Sequence, residues 1–170
     1  MFEFKRIIMV ETLNQYAKTY SDPPERERIA GRGIVIENGR ILLSYEKNTG
    51  VYMTPGGGVE ADETLEECCI RELREEAGIE VKPVERFVTA NEYSFETLYV
   101  SNYFICEAVG TAKQSLTPIE TEHGVTPRWV ELERAMEIFS AYPEKQPDVR
   151  SLYLREYTVI GKYIEQLSVK

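Results

Sequence analysis

The segment that most narrows the possible folds of this chain is a glycine-rich turn that leads directly into a strongly patterned helix. The turn is PGGG at residues 55–58, and consecutive glycines admit positive φ, so the chain can reverse sharply there. Thr64, with Glu67 three residues later, predicts a capping box at the start of the helix. Gly78 predicts its end, because glycine accepts the left-handed conformation of a helix C-cap. Apolar residues recur at every fourth position of the helix and predict one buried stripe: Leu65, Cys69, Leu73 and Ala77.

Three carboxylates, Glu72, Glu75 and Glu76, lie within about one turn of this helix. At about 100° per residue they occupy an arc beside the apolar stripe, so we expect them at the rim where the helix meets the rest of the fold. Carboxylates this close repel one another unless a positive charge lies between them. A hard divalent cation, which prefers oxygen ligands, is the simplest such charge. The pattern therefore predicts a metal site able to hold phosphate.

Most of the chain's acidity is concentrated in the same segment. The net charge of the chain is −9, and residues 57–80 hold nine acidic and two basic residues. A protein that binds duplex nucleic acid more often shows a basic face, so this charge argues against duplex nucleic acid as a partner. It is compatible with a single nucleotide bridged by a metal ion.

The spacing of these residues resembles the Nudix signature, G-x5-E-x7-R-E-U-x-E-E-x-G-U, in which U is an aliphatic residue. Every fixed position is matched, which makes an accidental match negligible: Gly57, Glu63, Arg71, Glu72, Leu73, Glu75, Glu76, Gly78 and Ile79. The approach GVYMTPGGGVE also resembles the family, as does the later run TPRWV at residues 126–130, followed by Glu-Leu-Glu. The resemblance spans roughly residues 28–140 and assigns no role to residues 1–27 or 141–170.

The fold expected from these features is α+β. Residues 1–170 are long enough for one domain with a sizeable core, and we expect a single domain. Strand-like segments dominate the middle of the chain, and the resemblance implies the Nudix fold, a mixed β-sheet sandwiched between α-helices (α/β/α). No apolar run is long enough for a membrane span, and no signal-peptide pattern is present. Three cysteines, an odd number, argue against a disulfide framework and for a reducing, cytoplasmic compartment.

The remaining pattern gives a coarse order of elements. Residues 29–36 and 41–45 are expected to pair as strands around an Asn-Gly turn, which is the strongest short hairpin signal. Residues 2–10 are interpreted as a strand or edge segment, residues 11–28 as a loop, and residues 118–124 as a loop. Further strands are expected at 51–53, 79–84, 85–90, 98–108 and 128–132, and helices at 131–140 and 149–167. The buried side of the last helix is expected to consist of Leu152, Leu154, Tyr157, Ile160, Tyr163 and Ile164.

The resemblance also implies roles for individual residues. Glu72 and Glu76 are implied as the core metal ligands, with Glu75 completing the cluster and the carbonyl of Gly56 as a backbone ligand. Arg71 is implied to pair with the carboxylates and fix their rotamers, and to meet Glu63 at the junction of loop and helix. The implied metal is Mg²⁺, with Mn²⁺ as the alternative.

The general base is not fixed by the resemblance. In the family it is sometimes a glutamate of the signature and sometimes a glutamate on a later loop. Here the later candidates are Glu122 and Glu120, in the segment PIETEHG just before the Trp-Val strand. The residues expected to act in catalysis are therefore Glu72, Arg71, Glu75 and Glu122.

The function implied is Mg²⁺-dependent hydrolysis of the pyrophosphate linkage in a nucleoside diphosphate that is joined to another group. A nucleoside triphosphate or a nucleotide sugar is the preferred type of small-molecule substrate, and because the fold often dimerises, a homodimer stays open. A non-catalytic nucleotide-sensing domain of the same fold is the alternative, but such domains usually lose carboxylates from the signature. The isomerase branch of the fold needs a catalytic cysteine and a histidine-rich metal site, and this chain has one histidine.

Overall fold

The chain forms eight β-strands and four α-helices within residues 10–168, the part described by a computed structural model. The strands are β1 (Glu11–Tyr20), β2 (Arg26–Glu37), β3 (Arg40–Glu46), β4 (Val51–Met53), β5 (Gly56–Gly58), β6 (Ile79–Phe95), β7 (Thr97–Thr111) and β8 (Val125–Glu131). The helices are α1 (Leu65–Ala77), α2 (Pro118–His123), α3 (Leu132–Ser140) and α4 (Pro147–Ser168), with one 3-10 turn at Tyr142–Glu144.

The strands form one mixed sheet. Its main order is β1-β6-β7-β2-β3-β4, with β5 paired to β2 and β8 paired to β3. The β1–β6 and β2–β7 pairs are parallel, whereas the long β6–β7 hairpin and the β3–β8 pair are antiparallel. The predicted mixed sheet is confirmed.

Helices cover both faces of the sheet. On one face α1 packs against a cluster that includes Val35, Leu42 and Phe104. On the other face α3 and α4 contribute Phe139, Val159 and other residues to a second cluster built around Ile34, Tyr103 and Ile105. The predicted α/β/α sandwich is therefore confirmed. No helix among residues 10–168 is both long and apolar enough to cross a membrane.

The interpretation of residues 11–28 as a loop is wrong. Residues Glu11–Tyr20 form edge strand β1, and β2 already begins at Arg26. The sequence pattern did not predict β1, because one face of this edge strand is exposed and its half-buried positions include the polar Gln15 as well as Leu13. Residues 1–9 lie outside the described part of the chain, so the strand expected at 2–10 stays a prediction except at Val10, which lies outside any element.

Four smaller predictions also need correction. The two strands expected at 79–84 and 85–90 are one strand, β6, whose register shifts next to Pro83, where the missing N–H interrupts regular pairing. The glycine turn itself forms β5, and residues 118–123 form the short helix α2. Tyr157 is exposed, whereas the buried side of α4 includes two charged residues, Arg155 and Glu156.

Candidate active site

The helix that carries the acidic residues begins and ends where the sequence predicts. Thr64 Oγ1 accepts a hydrogen bond from the backbone N–H of Glu67, and the Glu67 carboxylate accepts one from the backbone N–H of Thr64. Gly78 adopts the left-handed conformation, with φ 66°, and its N–H donates to the carbonyls of Leu73 and Arg74 in the last turn of the helix. The capping box and the C-cap are both confirmed, and they fix the register of the carboxylates on α1.

The glycine turn lies directly against those carboxylates. The backbone N–H of Gly56, at φ 148°, donates to Glu76 Oε2 at 2.8 Å. A Cβ added to Gly57 would stand 2.5 Å from the carboxyl carbon of Glu72. Glycine suits position 56 because of its backbone conformation, and it suits position 57 because a side chain there would meet the Glu72 carboxyl group. The sequence brings the backbone of the turn and two acidic side chains into one place.

The three signature carboxylates differ in exposure. Glu72 is 8% exposed and Glu76 is 5% exposed, whereas the side chain of Glu75 is 42% exposed. Two carboxylates are therefore buried beside the turn, and the third is partly exposed to solvent.

Arg71 joins these groups through its guanidinium. Its Nη1 donates to Glu72 at 2.7 Å and to Glu75 at 3.2 Å, and its Nε and Nη2 form a bidentate pair with Glu63. Hydrogen bonding to Arg71 lowers the pKa of Glu63 to about 2, and the Glu63 carboxylate in turn raises the pKa of Arg71. Nη2 also donates to the carbonyl of Gly58. Arg71 thus has the contacts expected of a residue that fixes carboxylate rotamers.

Burial makes the inner carboxylates electrostatically costly. Desolvation raises the pKa of Glu72 despite the opposing effect of Arg71, and it raises the pKa of Glu76 to about 7 although the Gly56 N–H hydrogen bond acts against it. The Arg71 guanidinium pairs with three carboxylates, those of Glu63, Glu72 and Glu75, and Arg32 is the cation that acts on Glu76. The cluster therefore has a surplus of negative charge that a cation would compensate.

The donor set fits a cation that takes only part of its shell from protein. Among residues 10–168, no three histidine, cysteine or acidic side chains converge closely enough to enclose a metal ion. What converges is two buried carboxylates, Glu72 and Glu76, beside the backbone of Gly56. Mg²⁺ commonly uses one or two carboxylates and completes its octahedral shell with waters and substrate phosphates. The residues present fit that pattern.

The later glutamates are placed differently from each other. Glu120 lies on α2, half-buried, and its charge is among those that raise the pKa of both Glu72 and Glu76. Glu122 is exposed and is not among the strongest influences on either carboxylate. The structure therefore brings Glu120 near the signature, while Glu122 faces solvent.

Two further charged residues close to the glycine turn were not singled out as site residues from the sequence. Arg32 Nη1 donates to the carbonyls of Thr54 at 3.1 Å and Gly56 at 3.4 Å. Glu156, on α4, accepts from Thr54 Oγ1. The available signal was local: Arg32 lies between Gly31 and Gly33, directly before the apolar run at residues 34–36, and Glu156 lies on the inward face of a helix.

A glycine turn held against buried carboxylates of a capped helix, inside an α/β/α sandwich, is the arrangement that the signature predicts. Residues 27–153 match the family model described as the NUDIX domain, and the chain belongs to this family. The chain is also 30% identical to a MutT-like protein of Streptomyces ambofaciens, over 78% of this chain and 83% of that protein.

Two further similarities extend this assignment. An ADP-ribose pyrophosphatase of Methanocaldococcus jannaschii is 32% identical over 111 residues, which cover 62% of this chain and 63% of that protein. This chain thus spans less than two thirds of that relative's length. The solved structure of a NUDIX hydrolase from Nitrosomonas europaea superposes with a TM-score of 0.59 at 18% identity, over 78% of this chain and 88% of that chain. This second similarity supports the fold.

Proposed function

We propose that this protein hydrolyses the pyrophosphate linkage of a nucleoside diphosphate joined to another group, with Mg²⁺ or Mn²⁺ as its metal. One observation carries the proposal: Glu72 and Glu76 are buried against the Gly56–Gly57 backbone, in a cluster with more negative charge than Arg71 and Arg32 balance. An anionic substrate cannot approach such a cluster unless a cation compensates it.

The proposed roles follow from the contacts. Glu72, Glu76 and the Gly56 carbonyl would hold the metal, and Glu75, which is more exposed, would complete the set. A divalent cation at such a site neutralises phosphate charge and lowers the pKa of bound water. Arg71 orients Glu72 and Glu75 by its guanidinium, and the Gly56 N–H orients Glu76.

For the general base we propose Glu120 ahead of Glu122, with Glu75 as the remaining candidate. The support is proximity, because the charge of Glu120 acts on both buried carboxylates. A positioned general base contributes about 10²- to 10⁴-fold to rate. Glu120→Gln should therefore lower kcat by at least about 100-fold, while Glu122→Gln should behave like the unaltered protein.

For substrate we propose a nucleoside diphosphate sugar of the ADP-ribose type ahead of a nucleoside triphosphate. The support is the similarity to the archaeal ADP-ribose pyrophosphatase. A panel of ADP-ribose, other sugar nucleotides, nucleoside triphosphates and dinucleoside polyphosphates, with the nucleotide products separated and quantified by chromatography, distinguishes these classes.

The deciding experiment replaces Glu72 and Glu76 separately with glutamine and compares them with Glu66→Gln. Glu66 is an exposed acid on the same helix and serves as a matched control. Losing a ligand that neutralises transition-state charge should cost roughly 3–4 kcal/mol, or about 10²- to 10³-fold in kcat/KM. Chelation of the metal should abolish turnover. Full activity in both ligand variants would contradict the proposal, and nucleotide binding without turnover would favour a non-catalytic sensor.

A further inference from the structure

The turn that precedes the signature is held by hydrogen bonds at successive positions. Arg32 Nη1 donates to the carbonyl of Thr54 at 3.1 Å, and the N–H of Gly33 donates to the carbonyl of Pro55 at 3.1 Å. The N–H of Gly56 then donates to Glu76. These contacts come from β2 and α1. They leave the side chain of Thr54, which is fully buried, to be anchored from elsewhere.

That anchor comes from the helix on the opposite face of the sheet. Thr54 Oγ1 donates to both carboxylate oxygens of Glu156, at 3.1 and 3.0 Å. Glu156 lies on α4, 102 residues further along the chain, and has no exposed surface. A second contact from α4 reaches the approach to the turn, where Tyr153 OH accepts from the N–H of Tyr52 at 3.2 Å.

Glu156 is itself oriented by buried donors. Tyr103 OH donates to Oε1 at 3.1 Å and Arg155 Nη2 donates to the same oxygen at 2.9 Å. Arg155 also pairs with Glu92, which accepts from Ser151. The Glu156 carboxylate therefore has little rotational freedom, and the position of Thr54 is defined by a side chain that cannot relax toward solvent.

Stability alone does not account for this arrangement. Burying a carboxylate costs several kcal/mol before its partners offset the loss of water, and well-packed apolar residues often stabilise a core equally well. Buried polar groups instead define one geometry when all of their bonds are satisfied. Here the geometry defined is that of Thr54, two residues before the Gly56 carbonyl.

We propose that Glu156 is a positioning residue for the metal site: through Thr54 it fixes the Gly56 carbonyl and the Gly56 N–H in register with Glu76. This inference rests on the proposed function, because it assigns Gly56 a place in the metal shell. A loosened turn would let the carbonyl and the Glu76 carboxylate separate, so the site would bind its metal less tightly although every ligand remained present.

The test compares Thr54→Val and Glu156→Gln with Thr54→Ser and Thr158→Val. Valine keeps the shape of Thr54 and removes its hydroxyl, while serine restores it. Thr158→Val makes the same chemical change on α4, where the hydroxyl bonds only the Leu154 carbonyl of its own helix. For each full-length variant, the Mn²⁺ dissociation constant is measured by electron paramagnetic resonance of free Mn²⁺, without substrate. Thermal unfolding is followed in metal-free buffer.

The expected result is a 10- to 100-fold rise in the Mn²⁺ dissociation constant for Thr54→Val, as is typical when the partner of a metal-site group is lost. Glu156→Gln should weaken binding at least as much, while Thr54→Ser and Thr158→Val should bind Mn²⁺ like the unaltered protein. If Thr54→Val binds Mn²⁺ as tightly as Thr158→Val, the inference is overturned, even if its unfolding temperature has fallen. That variant keeps the test decisive should Glu156→Gln fail to fold.

A further control separates this inference from the proposed function. Glu76→Gln should abolish tight Mn²⁺ binding. If the unaltered protein binds Mn²⁺ no better than Glu76→Gln, both the metal site and the positioning role are wrong. If Glu76→Gln weakens binding and Thr54→Val does not, only the positioning role is wrong.

Discussion

At the scale of single residues, the close contact between Gly57 and Glu72 gives a test that separates the site from the fold. An alanine Cβ at position 57 would meet the carboxyl group of Glu72 at 2.5–2.6 Å. The group that must move is the end of a flexible side chain, so the fold can adjust while the carboxylate is displaced. Gly58 is a matched control, because a Cβ there meets nothing within 4 Å.

We therefore predict that Gly57→Ala lowers kcat/KM by about 10- to 100-fold, in line with the effect of disturbing a group that orients a metal ligand. Its unfolding temperature should stay close to that of Gly58→Ala, and Gly58→Ala should keep most of the activity. Steady-state kinetics and thermal unfolding of the two variants check this. Equal kinetics in both would mean that Glu72 does not need its observed position.

The contacts of a residue could be predicted from the sequence where its partner lies nearby in the chain, and not where the partner is distant. Arg71 and Glu63 are eight residues apart in one signature, and their pairing could be expected from that signature. Glu156 acts on Thr54 across 102 residues, and nothing in the spacing of either residue indicates the other. Glu120 and Glu122 were both candidates because they lie in one segment, and which of them faces the signature depends on the tertiary packing of α2.

At the scale of elements, two glycines of β2 set how closely α1 approaches the sheet. A Cβ on Gly31 would stand 2.7 Å from the backbone carbonyl of Leu65, and one on Gly33 would stand 2.5 Å from the side chain of Leu73. Because backbone cannot yield as a side-chain end does, Gly31 is the more restrictive of the two.

We predict that Gly31→Ala lowers the free energy of unfolding by roughly 1–3 kcal/mol, the usual cost of overpacking. Gly110→Ala is the control, since its added Cβ would make only an ordinary contact, at 3.6 Å, with Glu80. Urea denaturation of both variants measures the difference. If Gly31→Ala were as stable as Gly110→Ala, this would show that α1 can move away from β2 without a loss of folding stability.

Elements with strong local signals could be predicted, and those defined by tertiary context could not. The Asn-Gly hairpin of β2 and β3 and both caps of α1 depend on neighbouring residues, and all were correct. Strand β1 was missed because it is an exposed edge paired on one side only, in parallel with β6. Its sequence lacks the apolar alternation of a strand with a buried face.

At the scale of the whole molecule, buried polar contacts connect the edge strand, the sheet and the C-terminal helix. Gln15 of β1 donates to the backbone and hydroxyl oxygens of Ser151 on α4. Ser151 donates to Glu92 of β6, and Glu92 pairs with Arg155. Neither Glu92 nor Arg155 is more than 8% exposed at its side chain. The cohesion of these layers therefore depends partly on the ionisation of Glu92.

The ionisation of Glu92 makes that dependence measurable. Burial acts to raise the pKa of Glu92, but the Arg155 charge and the hydrogen bonds from Ser151 and Arg155 outweigh it, so the pKa lies below its ordinary value of 4.5. A lowered folded-state pKa contributes stability that is fully present above the unfolded-state value and is lost as pH falls through the folded-state value.

At about pH 7, Glu92→Gln should therefore lower the free energy of unfolding by roughly 3 kcal/mol, since it removes one partner of a buried pair. This deficit should stay constant above the ordinary carboxyl pKa and shrink as pH falls below it, because the unaltered carboxylate becomes protonated. Urea denaturation of both proteins at several pH values measures this deficit. Glu96→Gln is the control, because it breaks an exposed pair with Arg26. We expect it to lower the free energy of unfolding by less than about 1 kcal/mol. A Glu92→Gln deficit that is the same at every pH would mean that the shape of the side chain, and not its charge, holds the layers together.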